Sequence, residues 1–400
     1  MDKEIFRSFR HYNYRVFTPG QFISLIGTWM QTVLLSWLVY RLTNSVYLLG
    51  WINFSSQIFS LILAPFAGVL VDRYDNRKIL LITQTAATLQ ALVLGVLTLT
   101  GKITVGMIFL LAIFLGMVTS LDMPARQRLV VYLVERVDLP NAISLNSLMV
   151  NISRIVGPAL GGVLVASFNE GVGFLLNAFS YLFVIASLLL LRVPANNFNN
   201  NSTGVWQQFL EGLRYLRSHP EIRRALGIIG FLSFLVMPYP VLLPEVSKKI
   251  LGTGASGFGQ LMAISGVGAM LGALAMAKRQ KALGIEKFIY RGGFIFTLAV
   301  LGLSFVRSFY LSLLVVFLVG LGMMLTIVPV NTYIQTRVAE EMRGRVMSIY
   351  TMMFLGMAPI GSVLIGAVAS HLGVMATMRL LGAVGLVGMI FFYWRYRGAD

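Results

Sequence analysis

Stretches of about 20 mostly apolar residues recur twelve times along the chain. Each is long enough for a helix to cross the hydrocarbon core of a bilayer. In the first half they are 17–40, 47–71, 78–101, 103–123, 142–166 and 171–192. In the second half they are 225–245, 257–277, 288–306, 309–330, 346–369 and 373–394. Buried backbone in lipid must satisfy its own hydrogen bonds, so such stretches predict helices. The bulk composition agrees. The 400 residues are 57% hydrophobic and only 12% charged, with a mean hydropathy of +0.80. A soluble core of this length cannot hide that much apolar surface. An all-α, twelve-span membrane protein is the expectation.

Charge sets direction. With the N-terminus cytoplasmic, twenty-five of the 32 lysines and arginines fall on that side and five on the other. Arg154 and Arg379 fall inside spans. The positive-inside rule then places both termini in the cytoplasm. The net charge of +17 is thus topological and does not call for nucleic acid. The N-terminal "MDKEIFRSFRHYNYR" has no signal-peptide pattern and reads as an interfacial helix.

The long polar stretch 193–224 divides the spans into six plus six. It predicts a bundle over 1–192, a cytoplasmic linker over 193–224 and a second bundle over 225–400. "NNFNNNSTG" (196–204) is a polar tether. After it, Trp206, Phe209, Leu210, Leu213 and Leu216 recur at helical spacing, which predicts an amphipathic surface helix. Ser218 and Glu221 have capping-box spacing ahead of the seventh span. The halves also echo each other. "RIVGPALGGVLVA" in the fifth span and "GMAPIGSVLIGAVA" in the eleventh both set a proline among small residues. That points to two bundles related by an axis along the membrane normal.

Several features concentrate chemistry. The hairpin "AGVLVDRYDNRKILLIT" (67–83) packs five charges into seven residues, and Asp75 is placed to cap the third span. The seventh span, "FLVMPYPVLLPEV", holds Pro238, Pro240 and Pro244 and is not expected to be straight. Arg154 falls near the midplane, where an arginine costs about 2.5–3.5 kcal/mol and must face a cavity or a partner. Arg379 is shallower and can snorkel. Asp122 is read as the cytoplasmic end of the fourth span and Glu245 as the outer end of the seventh; either could carry a proton. Gln31, Asn53, Gln57, Asn151, Ser233, Tyr239 and Asn331 are polar positions inside spans, open to readings as pathway lining or as interhelix bonds. With many Met and Phe residues they fit a cavity for an amphipathic solute.

Twelve spans, a cytoplasmic central loop and the charged hairpin together resemble the major facilitator superfamily. The hairpin residues Gly68, Asp72, Arg73, Arg77 and Lys78 match its signature, with Asp75 and Asn76 departing from it. Gly157, Pro158, Gly161 and Gly162 ("GPALGG") are similar to the fifth-span motif of its antiporters. "LDMPARQ" (121–127) and "LPNAISLNS" (139–147) look like the branch holding enterobactin and macrolide exporters. The resemblance implies two six-helix bundles rocking about a central cavity. It implies a conformational latch in the hairpin, with the eleventh span as its partner. It also implies proton-coupled export of a drug-like or siderophore-like molecule from a bacterial inner membrane by a functional monomer. An importer, a lipid flippase and a non-transporting receptor on the same fold stay open. No HExxH, GxSxG or GxxxxGK[ST] occurs, and the three histidines are scattered, so neither an enzyme nor a nucleotide-driven pump is expected. No cofactor is expected. No charged or carbonyl-lined filter suggests a channel.

Overall fold

The computed structural model describes residues 6–192, 205–277 and 284–396, except for the side chains of 60, 61, 64–66, 68, 69, 72, 205–208 and 396. All regular structure among the described residues is helical. The chain packs into two compact units, Met1–Leu38 with Ser55–Ser202, and Val39–Phe54 with Thr203–Asp400. The hairpin 39–54, at the junction of the first two spans, therefore belongs to the second unit.

The first unit holds most of α1 (Tyr12–Thr43) and α2 (Val46–Arg73). It also holds α3 (Asn76–Leu99), α4 (Val105–Leu133), α5 (Leu139–Ser167) and α6 (Glu170–Leu190). Short polar caps start several of these. The Asp75 carboxylate accepts from the Arg77 N–H at 2.8 Å, and Asn169 caps α6 through the Gly171 N–H at 2.8 Å. Each satisfies a donor that a helix start leaves orphaned. Tight turns end others; Gly101 sits at φ 69°, a conformation glycine takes without a Cβ penalty. Tyr14, Phe17, Leu80, Leu129, Leu133, Leu145 and Leu188 form one apolar cluster at the predicted cytoplasmic ends. Leu110, Phe179 and Leu189 point outward, as lipid-facing side chains do.

The second unit holds the linker helix α7 (Val205–Ser218), then α8 (Pro220–Leu235) and a broken stretch to Ile250. After these come α9 (Gly254–Ala277), α10 (Glu286–Leu303) and α11 (Phe309–Arg337). Next are α12 (Glu340–Thr351), α13 (Met357–Leu372) and α14 (Val374–Tyr396). Small residues let these helices touch backbone to backbone. A Cβ on Gly268 of α9 would stand 2.0 Å from the Phe317 carbonyl oxygen, and one on Gly320 of α11 would stand 2.0 Å from that of Ser265. Backbone atoms cannot yield as a flexible side chain can. Gly268→Val should therefore cost more than the ~1–3 kcal/mol typical of overpacking. A thermal melt in detergent should show the loss, whereas Gly302→Ala, with only Val315 at 4.0 Å, should melt like wild type.

Ten helices or joined helical stretches are long and apolar enough to cross a membrane, among the described residues. The other two predicted spans fall in α2 and α10, which are helices outside those ten. Three sequence expectations change. The fourth span does not stop at 123; α4 runs through Pro124 to Leu133. Asp122 is consequently an interior residue rather than a helix end. Ser218 does not cap α8, because it is the last residue of α7 and its hydroxyl donates back to the Tyr215 carbonyl at 2.9 Å. His219 takes the N-cap position without a side-chain capping bond, its Nδ1 lying 2.8 Å from the Tyr215 carbonyl instead, and Pro220 begins the helix.

The third change concerns the N-terminal segment. Within its described part, Arg7–Arg10 form a short 3-10 turn strapped to the α4–α5 loop, and α1 already begins at Tyr12. Arg7 pairs with Asp138 and donates to the Val137 carbonyl at 3.0 Å. The His11 Nε2 lies 2.6 Å from Asp138, and the Ser8 hydroxyl donates to Asn141 at 2.7 Å. The hydrogen bond from His11, with the charge of Arg7 adding to it, holds the Asp138 carboxyl below the usual carboxylate range. A carboxyl so lowered contributes stability above its unfolded pKa of about 3.9 and loses it as pH falls through the folded value. Wild type should thus melt above Asp138→Ala at neutral pH, and the gap should narrow as melts are taken below the unfolded pKa of about 3.9.

Candidate functional site

Inside the first unit, buried polar groups gather in two clusters. Asp122 is 8% exposed and lies eleven residues from the end of α4, about 16 Å at 1.5 Å per residue. One carboxylate oxygen accepts from the Thr83 hydroxyl at 2.9 Å and the Gln84 amide at 2.7 Å, both on α3. The other oxygen pairs with Arg126, one turn on. A buried carboxylate costs several kcal/mol unless paired and bonded, and here both conditions are met. Among the described acids, Asp122 alone lies in the interior of a continuous spanning helix.

A second cluster lies farther along α3. Asn177 donates to Gln31 at 2.7 Å, and Gln31 donates to Gln90 at 3.1 Å. The Tyr181 hydroxyl lies 3.3 Å from the Asn177 amide and 3.4 Å from the Thr28 hydroxyl. The net joins α1, α3 and α6. It holds Gln31, 3% exposed, between helices. The sequence reading named Gln31 without these partners, although Asn177, Ser180 and Tyr181 share one face of α6 and could have signalled it.

Arg154 stands on α5, half-buried, with its guanidinium 5.3 Å from the ring centre of Trp29 on α1. "GPALGG" explains why α1 and α5 come this close. A Cβ on Gly157 would lie 2.6 Å from that of Trp29, and one on Gly161 would lie 3.3 Å from the Met30 carbonyl oxygen. Pro158 and Gly162 are buried on the same helix. The motif thus sets the separation that lets Trp29 stack on Arg154. One turn earlier, Asn151 donates to the Ser147 carbonyl at 2.8 Å.

In the second unit the three prolines do break the seventh span. After α8 come a 3-10 turn, Tyr239–Leu242, a single turn Leu243–Glu245 and a π turn, Val246–Ile250. Tyr239 is 3% exposed and shares a 2.9 Å hydrogen bond with Ser265 on α9. Glu245 accepts from Lys249 at 3.1 Å. Ser233 donates to the Phe354 carbonyl at 2.6 Å. The 39–54 hairpin joins this region. Asn53 donates to Ser362 at 2.7 Å, and Lys248 donates to Asn44 at 2.9 Å while lying 5.4 Å from the Tyr40 ring centre. Asn331 accepts from Gln335 at 2.6 Å. Gln57 is half-buried on α2. Arg379 is exposed beside Phe305, 5.1 Å from its ring centre.

A small cleft near the start of α10 is lined by Arg224, Glu286, Tyr290 and Tyr333, with Glu286 also accepting from Arg337 at 3.1 Å. In the charged hairpin, Arg73 ends α2 and is exposed, Arg77 donates to the Leu189 carbonyl at 2.9 Å, and Lys78 is exposed. Gly68 and the Asp72 side chain lie outside the described residues.

Comparison with known proteins gives these helices a context. The chain is 27% identical to the staphyloferrin A transporter of Staphylococcus aureus, with 95% of each chain covered. It is 25% identical to the enterobactin exporter EntS of Salmonella typhimurium, covering 94% of this chain and 90% of that one. Its backbone resembles a crystal structure of the nucleoside transporter NupG, with a TM-score of 0.75 at 15% identity, over 96% of this chain and 99% of that one. The profile of the transmembrane secretion effectors matches residues 4–397. The chain is a multi-pass membrane transporter and belongs to the transmembrane secretion effector family of the major facilitator superfamily.

Proposed function

We propose that this protein is a proton-coupled exporter of anionic, siderophore-like molecules in a bacterial inner membrane. It works by rocking of two six-helix bundles about a central cavity. The observation that carries the reading is that one unit holds both a buried, ion-paired acid inside a spanning helix, Asp122 on α4, and a mid-span arginine, Arg154 on α5. Asp122, held by Arg126, Thr83 and Gln84, is the proton carrier. A proton arriving on Asp122 frees Arg126 from its carboxylate, and loss of the proton restores the pair. Coupling needs such a two-state group.

Arg154 is the cargo residue. Its guanidinium, stacked on Trp29, offers a flat cationic surface to a carboxylate or catecholate. The relatives named for staphyloferrin A and enterobactin fit cargo of this chemistry.

The test is flux in proteoliposomes under an imposed pH gradient, with iron-free hydroxycarboxylate and catecholate siderophores beside a cationic dye. The reading expects gradient-driven movement of at least one anionic compound and none of the dye. Dye movement without siderophore movement would replace the proposed cargo class. Equal rates with and without the gradient would remove proton coupling.

A further inference from the structure

The eleventh predicted span is not one helix. α12 ends at Thr351, a π turn fills Met352–Gly356, and α13 begins at Met357. The sequence supplies part of the cause. Pro359 has no N–H to give the Leu355 carbonyl, so the ordinary ladder fails there. A proline alone does not suffice, however. The repeat-related α5 carries Pro158 inside a continuous helix from Leu139 to Ser167. The two copies of one motif therefore stand in different backbone forms.

What differs is the neighbour. α8 lies against this segment and meets it at three points, two on the π turn and one on α13. Gly230 faces Met353, whose sulfur would stand 2.9 Å from an added Cβ. Ser233, fully buried, gives its hydroxyl to the Phe354 carbonyl at 2.6 Å. Gly361 packs directly against the Phe234 carbonyl, which a Cβ there would meet at 1.8 Å. A π turn misaligns carbonyls that an α-helix would satisfy, and here a serine on another helix takes up one of them. Single π turns of this kind occur often at functional sites.

The far side of α12 is also held. Linker helix α7 docks on it through an ion pair between Glu211 and Arg345 at 3.0 Å. The Ala339 N–H donates to the Tyr215 hydroxyl at 3.3 Å, just before α12 begins. A Cβ on Gly212 would lie 3.4 Å from that of Arg345. The linker helix is thus fastened to the segment on one side of the π turn.

We infer that residues 352–356 are a hinge of the transport cycle, that Ser233 is the positioning residue that holds it in the π form, and that α12 moves on it together with the linker helix. Ser233, whose sequence position leaves pathway lining and interhelix bonding both open, acts on this account through backbone. The inference rests on the exporter reading only for what the motion accomplishes.

The chain has no cysteine, so labels can be placed at will. Spin labels at Ser348→Cys on α12 and Leu364→Cys on α13 bracket the hinge, about 24 Å apart along a helix. Their distance is read in nanodiscs with no cargo present. Wild type and Ser233→Thr should share one dominant distance, and Ser233→Ala should shift or split it. Identical distributions in all three would overturn the hinge.

Siderophore flux gives the second readout. Ser233→Ala should lower the maximal rate about tenfold with the half-saturating concentration unchanged, and Ser233→Thr should restore it. A changed half-saturating concentration at an unchanged rate would mean that Ser233 touches cargo, against the inference. A Gly212→Cys/Arg345→Cys disulfide should leave flux intact, because the two helices travel together; abolished flux, restored by reductant, would contradict that. If wild type moves no siderophore while the label distance still answers to Ser233, the hinge stands and the exporter reading falls.

Discussion

Asp122→Asn is expected to fold, to bind cargo within a few-fold of wild type, and to lose gradient-driven transport by at least about a hundredfold. The substitution keeps size and shape. Its amide can still accept from Thr83 or Gln84, so the packing of α3 on α4 survives. What disappears is the negative charge that holds Arg126 and the ability to take up a proton. Removing Arg126 instead leaves a buried carboxylate without its counter-charge. Arg126→Ala should therefore destabilise the protein in a thermal melt, where Asp122→Asn does not. Flux under a pH gradient, set beside equilibrium binding, separates the two effects. Near-normal gradient-driven flux by Asp122→Asn would remove Asp122 from the coupling step.

Arg154→Ala should have the second large effect, in binding rather than coupling. Truncating one partner of a buried charge contact costs about 2–5 kcal/mol, so affinity for an anionic siderophore should fall at least about thirtyfold. Arg154→Lys should recover part of the loss, since an ammonium keeps the charge but not the planar stack on Trp29. Trp29 provides the readout, because cargo entering beside Arg154 should change its fluorescence. Unaltered affinity in Arg154→Ala would move the cargo site elsewhere.

Much of this architecture was legible in the sequence, for reasons that stop at the single helix. Apolar runs of spanning length predict helices wherever they occur, and ten of the twelve predicted spans each fall essentially on one helix, the seventh and eleventh being interrupted. Asp75 announces its cap by type and position, and three prolines within seven residues announce the break after α8. Partners in other helices carry no such local mark. Asn53 shows nothing of Ser362, nor Ser233 of the Phe354 carbonyl, because these contacts are made by packing.

Proline misleads in both directions. Pro124 sits in an unbroken helix, Pro158 in another, and Pro359 follows a π turn. Asp122, expected at the end of a span over 103–123, is interior because α4 continues through Pro124 to Leu133. Arg154 was legible as a midplane charge, whereas its aromatic neighbour depended on how closely "GPALGG" lets α1 approach. Ser218 has capping-box spacing from Glu221 but is already spent as the last residue of α7.

The coupling claim is tested most directly by letting cargo drive protons. Proteoliposomes are filled with a pH-sensitive dye and a hydroxycarboxylate siderophore, with equal pH on both sides. They are then diluted into siderophore-free buffer. The account predicts that siderophore leaving by way of wild-type protein draws protons inward and acidifies the lumen. It predicts no pH change with Asp122→Asn. Siderophore efflux at wild-type rate with a flat pH trace, or an equal pH change with Asp122→Asn, would contradict it.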